Sequence, residues 1–106
     1  MIKADFFRNK NNNIYGFRVK DHGASIVCAA VSALTLNCVN SIDEFTNCDF
    51  VCEHNDEGGF IDVLVPFIKE GGFDHDVDLI FNCLLLGLSG IKAEYENDIT
   101  IFDCEV

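Results

Sequence analysis

The sequence predicts an α+β fold, ordered β-β-α-β-β-α-β, with two helices packed on one face of one mostly antiparallel sheet. Three observations carry this reading. A chain of 106 residues is one domain's length and buries one modest core. Two stretches, Val27 to Ile42 and Val77 to Tyr95, repeat apolar residues at three-to-four spacing. Around them lie short alternating segments separated by Asn- and Gly-rich turns. Residues 1–106 are read as a single domain, since no linker tract and no internal repeat interrupts them.

Residues 1 to 8 set Ile2, Ala4, Phe6 and Phe7 among polar residues, a rough strand. "NKNNN" is a turn, because asparagine bonds locally and tolerates left-handed backbone. "IYGFRV" alternates and pairs back as the second arm of a hairpin. From about Ser25 to about Phe45 the period changes to Val27, Val31, Leu34, Cys38 and Ile42, and Ala29, Ala30 and Ala33 add helix propensity. Ser25 is expected as its N-cap.

"DFVCEH" follows as a short strand, "NDEGG" as a tight turn and "FIDVLVPF" as a further strand ended near Pro66. "EGGFDHDVD" opens the second helix, with aspartates favoured by the helix dipole in the first turn. Its stripe is Val77, Ile80, Phe81, Leu84, Leu88, Ile91 and Tyr95. Gly87 and Gly90 interrupt it at ~1 kcal/mol each against alanine, a cost that close helix packing would offset. "NDITIFDCEV" is the last strand.

Hydrophobic residues make up 49% of the chain, enough to drive folding. Eighteen acids face seven bases for a formal charge of -11, which disfavours nucleic acid and anionic membrane and favours a basic peptide or protein. Plain solubility accounts for the same charge. The N-terminus, "MIKADFFRNKNNN", lacks the pattern of a signal peptide, and "CLLLGL" is far short of a membrane span. The expected setting is the cytoplasm, where thiols stay reduced, so the six cysteines are not read as a disulfide framework.

The stretch "DHGASIVCAAVSAL" carries the chemistry. With Ser25 as cap, Cys28 falls on the first turn of the helix, where unpaired N–H groups and the dipole favour a thiolate. His22 lies just upstream, and Gly23 gives the bend freedom to fold it back toward the thiol as a proton acceptor. Ser32, one turn beyond Cys28 on the same face, is placed to contact substrate. Asp62 or Asp21 is a candidate to orient His22. The competing reading is that Cys28 simply packs in the core, as free cysteines often do.

Other candidates are weaker. Cys48, Cys52 and His54 are loosely spaced like zinc ligands, but no CxxC pair exists, and alternation puts them with Phe50 on one inward strand face. "DHDVD" begins like a calcium loop but has Leu79 and Leu85 where glycine and glutamate are required. His75 reads as a solvated residue at a helix start. No metal and no cofactor is expected.

At "SIVCAAVSAL" the chain resembles the ribosomal-processing cysteine protease family, whose hallmark is a Gly-His-Ala segment, a loop and an Asp-Ile-Val-Cys-Ala run entering a helix. "NDEGGFIDV" is similar to that family's Gly-rich hairpin and "EYENDITI" to its C-terminal helix-to-strand junction. The resemblance implies a cytoplasmic cysteine endopeptidase, commonly dimeric. Such enzymes remove the N-terminal extension of a large-subunit ribosomal protein next to aromatic residues, before ribosome assembly. It implies Cys28 as nucleophile, His22 as base, and Ser32 and Ser25 on the substrate side. It also implies a homodimer and a basic ribosomal protein, or its N-terminal peptide, as partners.

Two departures set this chain apart. Only "GASIV" separates His22 from Cys28, shorter than the family's usual loop, and Ser25 stands where the family has an acid. The shortened loop raises an alternative: a weak or inactive relative that grips a ribosomal protein without cutting it.

Overall fold

The computed structural model describes residues 1–55 and 57–105, the last two of these by backbone alone. Strands β1 (Ile2–Arg8), β2 (Ile14–Lys20), β3 (Val51–His54), β4 (Phe60–Leu64) and β5 (Ile99–Glu105) form one sheet in the order β3-β4-β2-β1-β5. Every pairing is antiparallel except β1 with β5. Helices α1 (Ser25–Phe45) and α3 (His75–Glu94) cover one face, as the sequence predicts. A short helix, α2 (Pro66–Lys69), stands where the fourth predicted strand was to end. Strand β4 stops at Leu64 because Pro66 takes the first helical position, where a missing N–H costs nothing.

The β1–β2 turn is organised by a single buried residue. Asn9 Oδ1 accepts the N–H groups of Asn11 and Asn13 at 2.8 and 3.0 Å, and its Nδ2 donates to the Ile68 carbonyl at 2.7 Å. One side chain thus closes the hairpin and pins α2 beneath it. Asn12 takes the left-handed backbone, φ 65°, that asparagine tolerates.

The core lies between sheet and helices. Ile2, Ala4 and Phe6 of β1 and Phe17 of β2 meet Val27, Val31, Cys38 and Ile42 of α1 and Phe81, Leu84 and Leu88 of α3. Phe17 and Phe81 join sheet to helix edge-on, their ring centres 6.1 Å apart. Burial, with Cys83 nearby, pushes the Cys38 thiol up to about 12. Thr35 is buried in the same stripe, unforeseen by the apolar pattern, its hydroxyl donating to the Ser32 carbonyl at 3.2 Å. Helix α1 is long and apolar enough to cross a membrane by length and composition, and this fold uses its apolar stripe as a core face instead.

The two long helices run antiparallel, and contacts along their length fix the register. The Ala24 N–H, at the start of α1, donates to the Asp98 carboxylate beyond the end of α3. Leu34 fills the space that a side chain at Gly87 would take, which accounts for that glycine inside a helix. Beyond the end of α1, the Cys48 thiol lies near the Asp74 carboxylate. Gly90 has open space around its Cα and no such role.

The helix starts differ from one another. Asp74 caps α3 as its N-cap, accepting the N–H groups of Asp76 and Val77 at 3.0 Å each. The expected cap of α1 is corrected. Ala24 is the N-cap, Ser25 is the first helical residue, and no side chain of the local segment caps the helix. The displacement follows from Asp98, which holds the Ala24 N–H in an extended conformation one residue early.

These starts predict a contrast. Asp74→Ala should destabilise the domain by about 1 kcal/mol, whereas Ser25→Ala should stay within about 0.5 kcal/mol, both read from urea unfolding at pH 7. The N–H donors, that of Val77 first, hold the Asp74 carboxyl below its ordinary value. Its contribution is therefore complete above the ordinary carboxylate value of ~3.9 and is lost as pH falls through the lowered one. The gap between wild type and Asp74→Ala should narrow below about pH 4.

Candidate active site

The end of the sheet where β2 stops and β1 and β5 begin gathers the residues singled out by sequence. Lys20 closes β2, and the chain crosses residues 21–24 before entering α1. Asp21 turns with left-handed backbone, φ 70°, and its N–H donates to the Gly59 carbonyl at 2.9 Å. That bond ties the loop to the β3–β4 hairpin.

Asn55 builds the hairpin tip: its carbonyl accepts the Gly58 N–H at 3.0 Å and its Oδ1 the Glu57 N–H at 3.0 Å. Gly58 and Gly59 both lie at positive φ, 79° and 82°. Gly59 is required a second time, because a Cβ there would collide with the His22 ring at Nε2 and stand 2.8 Å from Cε1. The imidazole thus lies directly on hairpin backbone.

Cys28 is half-buried in the second turn of α1, against the core. With Ala24 as cap it stands one place further along than expected, and its own N–H is spent on the Ala24 carbonyl at 2.9 Å. Its sulfur is held from the other side: the Gly23 N–H donates to Sγ at 3.3 Å, and Sγ donates to the Gly23 carbonyl at 3.5 Å. The N–H groups of Ser25, Ile26 and Val27 have no partner among the described residues, so the mouth of α1 retains hydrogen-bond donors beside the thiol.

Cys28, His22 and Ser32 line one cavity of about 510 Å³. Its floor is apolar, with Ile2, Val19, Val31 and Ile61, and Asp21 and Glu57 bring carboxylates to its edge. Ser25 lies outside this lining. No hydrogen bond joins His22 to Cys28 among the described residues. Of the two acids considered for orienting His22, Asp62 is taken by Arg18, at 2.6 Å to its guanidinium. Asp21 shares the cavity and pairs loosely with Lys3 at 3.8 Å.

Several cavity residues escaped the sequence reading. Asn55, Gly58, Gly59 and Phe60 were read only as turn and strand, yet they form one wall. His54 also lines the cavity and is exposed, which corrects its placement in the core. Alternation along β3 gave its face correctly, but β3 ends at His54, where the helices no longer cover the sheet. Cys48 and Cys52, expected in the core, are half-buried and packed against it, and burial raises both thiols. Among the described residues no group of three or more His, Cys, Asp or Glu is arranged to hold a metal ion. His75 is exposed beside Asp76, in keeping with a solvated helix start.

Comparison with known proteins identifies the family and the fold. Residues 1–100 match the family described as Cysteine protease Prp. The Ribosomal processing cysteine protease Prp of Bacillus subtilis (strain 168) is 21% identical over 107 residues, 95% of this chain and 96% of that one. The crystal structure of the essential ribosomal processing protease Prp from S. aureus, in complex with a covalently linked product peptide, is similar with a TM-score of 0.87. Its identity is 25%, and the match covers 98% of this chain and 100% of that chain. SMU.848 from Streptococcus mutans is similar with a TM-score of 0.86 and 28% identity over 100% of this chain and 96% of its own. With residues 1–100 matched by that family and the fold shared over nearly the whole chain, the chain belongs to the Prp family of cysteine proteases.

Proposed function

We propose that this chain is a cysteine endopeptidase of the Cys-His type that removes the N-terminal extension of a large-subunit ribosomal protein and so supports ribosome assembly. The observation that carries this reading is the shared cavity of Cys28, His22 and Ser32, with the thiol at the entry of α1. The S. aureus relative was solved with a covalently linked product peptide, which supports a peptide as the occupant. The B. subtilis relative's name supports a ribosomal substrate.

In this mechanism Sγ of Cys28 attacks the scissile carbonyl as His22 takes its proton. The N–H groups at the mouth of α1 stabilise the oxyanion. His22 then protonates the leaving amine, and water, deprotonated by His22, cleaves the thioester. No hydrogen bond joins His22 to Cys28 among the described residues, and catalytic contacts of this kind often tighten in the complex with substrate. Ser32, on the same wall, contacts the bound chain.

The acidic surface, with a formal charge of -11, favours a basic ribosomal peptide as partner. The free thiols of Cys28, Cys38, Cys48, Cys52 and Cys83 fit the reducing cytoplasm. Exposed Ile26 and Leu36 on α1 and Leu79 and Leu86 on α3 give a homodimer apolar surface to bury. A second reading, a binding module that holds a ribosomal protein uncut, draws on the unbonded His22–Cys28 pair.

Cys28→Ala should lower cleavage of a basic peptide with an aromatic site by about 10³-fold or more, and His22→Ala should approach the same loss, measured by mass spectrometry of the products. Circular dichroism of both variants should match wild type. Equal cleavage by Cys28→Ala and wild type defeats the protease, whereas binding without cleavage in wild type supports the module. Sedimentation velocity should give twice the chain mass of 11.8 kDa.

A further inference from the structure

Asp98 lies between the end of α3 and the start of β5, yet its side chain acts at the entry of α1. Its Oδ1 accepts the Ala24 N–H at 3.1 Å, across 74 positions of sequence. Its own backbone is fixed by the sheet end: the carbonyl accepts the Ile2 N–H at 2.8 Å, and the N–H donates to the Tyr95 carbonyl at 2.9 Å. Gly23 rests on this anchored residue so closely that a Cβ on Gly23 would stand 3.0 Å from the Asp98 carbonyl oxygen and 3.3 Å from Oδ1. Gly23 in turn makes both hydrogen bonds to the Cys28 sulfur.

We infer that Asp98 is a positioning residue for the thiol, acting through the Gly23–Ala24 strap to set where the Cys28 sulfur stands in the cavity. This rests on Cys28 being the nucleophile proposed above. The strap is held at two points, by the Asp21–Gly59 backbone bond on the hairpin side and by Asp98 on the sheet side. Releasing the second point returns to Gly23 the freedom that glycine has and removes the partners that fix the sulfur. A nucleophile displaced by ~1 Å loses up to ~10²-fold in rate, so an anchor that never touches substrate still governs turnover. The carboxylate thus fixes the residue from which α1 starts, and ties catalytic geometry to the junction of α3 with β5.

The test uses the full chain with Asp98→Ala, Asp98→Asn and Gly23→Ala. Two readouts are taken: kcat and KM for peptide cleavage, and the rate of Cys28 alkylation by iodoacetamide relative to exposed Cys83 in the same molecule. Asp98→Ala should lower kcat by about 10–100-fold with KM little changed, and should slow Cys28 relative to Cys83 several-fold. Asp98→Asn keeps an oxygen to accept the Ala24 N–H and should recover most of both. Gly23→Ala, which presses a methyl group against Asp98, should alter the alkylation ratio with Asp98 intact, and it carries the test if Asp98→Ala does not fold. An unchanged ratio and kcat in Asp98→Ala, or Asp98→Asn impaired as far as alanine, overturns the assignment. If wild type cleaves no peptide while the alkylation ratio still depends on Asp98, the protease reading falls and the positioning of the thiol stands.

Discussion

The parallel pairing of β1 with β5 is the constraint on which the rest of this structure depends. With β2 antiparallel to both β1 and β4, this pairing makes β5 parallel to β4, the strand before it. Consecutive parallel strands cannot be joined by a hairpin, so a helix must carry the chain back across the sheet before β5. That helix is α3, and its direction is thereby set antiparallel to α1, which leaves β2 from the same end of the sheet. The start of α1 and the end of α3 then meet at one place. The polypeptide's beginning, its final junction and the entry of its first long helix are side by side there. A cavity built at such a corner draws its walls from segments far apart in sequence and needs no long loop to assemble them.

The fold was legible because its signals are local and repetitive. The stripes at Val27, Val31, Leu34, Cys38 and Ile42 and at Val77, Ile80, Phe81, Leu84, Leu88, Ile91 and Tyr95 name the two helices. Most of these residues are buried, Leu34, Ile80 and Ile91 are half-buried, and Tyr95 is exposed just past the end of α3. The end of β4 and the short helix α2 were not legible, because "LVPF" is apolar throughout and period alone does not separate strand from helical turn. Thr35 was missed because its methyl group does the packing while its hydroxyl is satisfied one turn back.

The site was legible in part, for a related reason. Cys28, His22 and Ser32 are close in sequence, and one helical face with one bend brings them to the same cavity. Ser25 was misplaced as a cap because a serine before an apolar run is the ordinary local signal, whereas the group that bonds Ala24 comes from Asp98. Nothing local in "ENDIT" announces that reach. His54 and the hairpin glycines were likewise read from their own segments, and their part in the cavity emerges only when the β3–β4 tip folds onto Asp21.

The contact of Gly59 with the His22 ring bears on how this sequence can drift over time. Position 59 is closed to every side chain on two separate grounds, a left-handed backbone and an imidazole where a Cβ would go. Glu57, two places earlier on the same tip, is exposed at the edge of the cavity. Descendants of this chain can therefore vary the outer tip and so alter what approaches the cavity, while an unvarying glycine keeps the ring in place. Novelty in ligand choice and fidelity in chemistry are assigned to neighbouring codons.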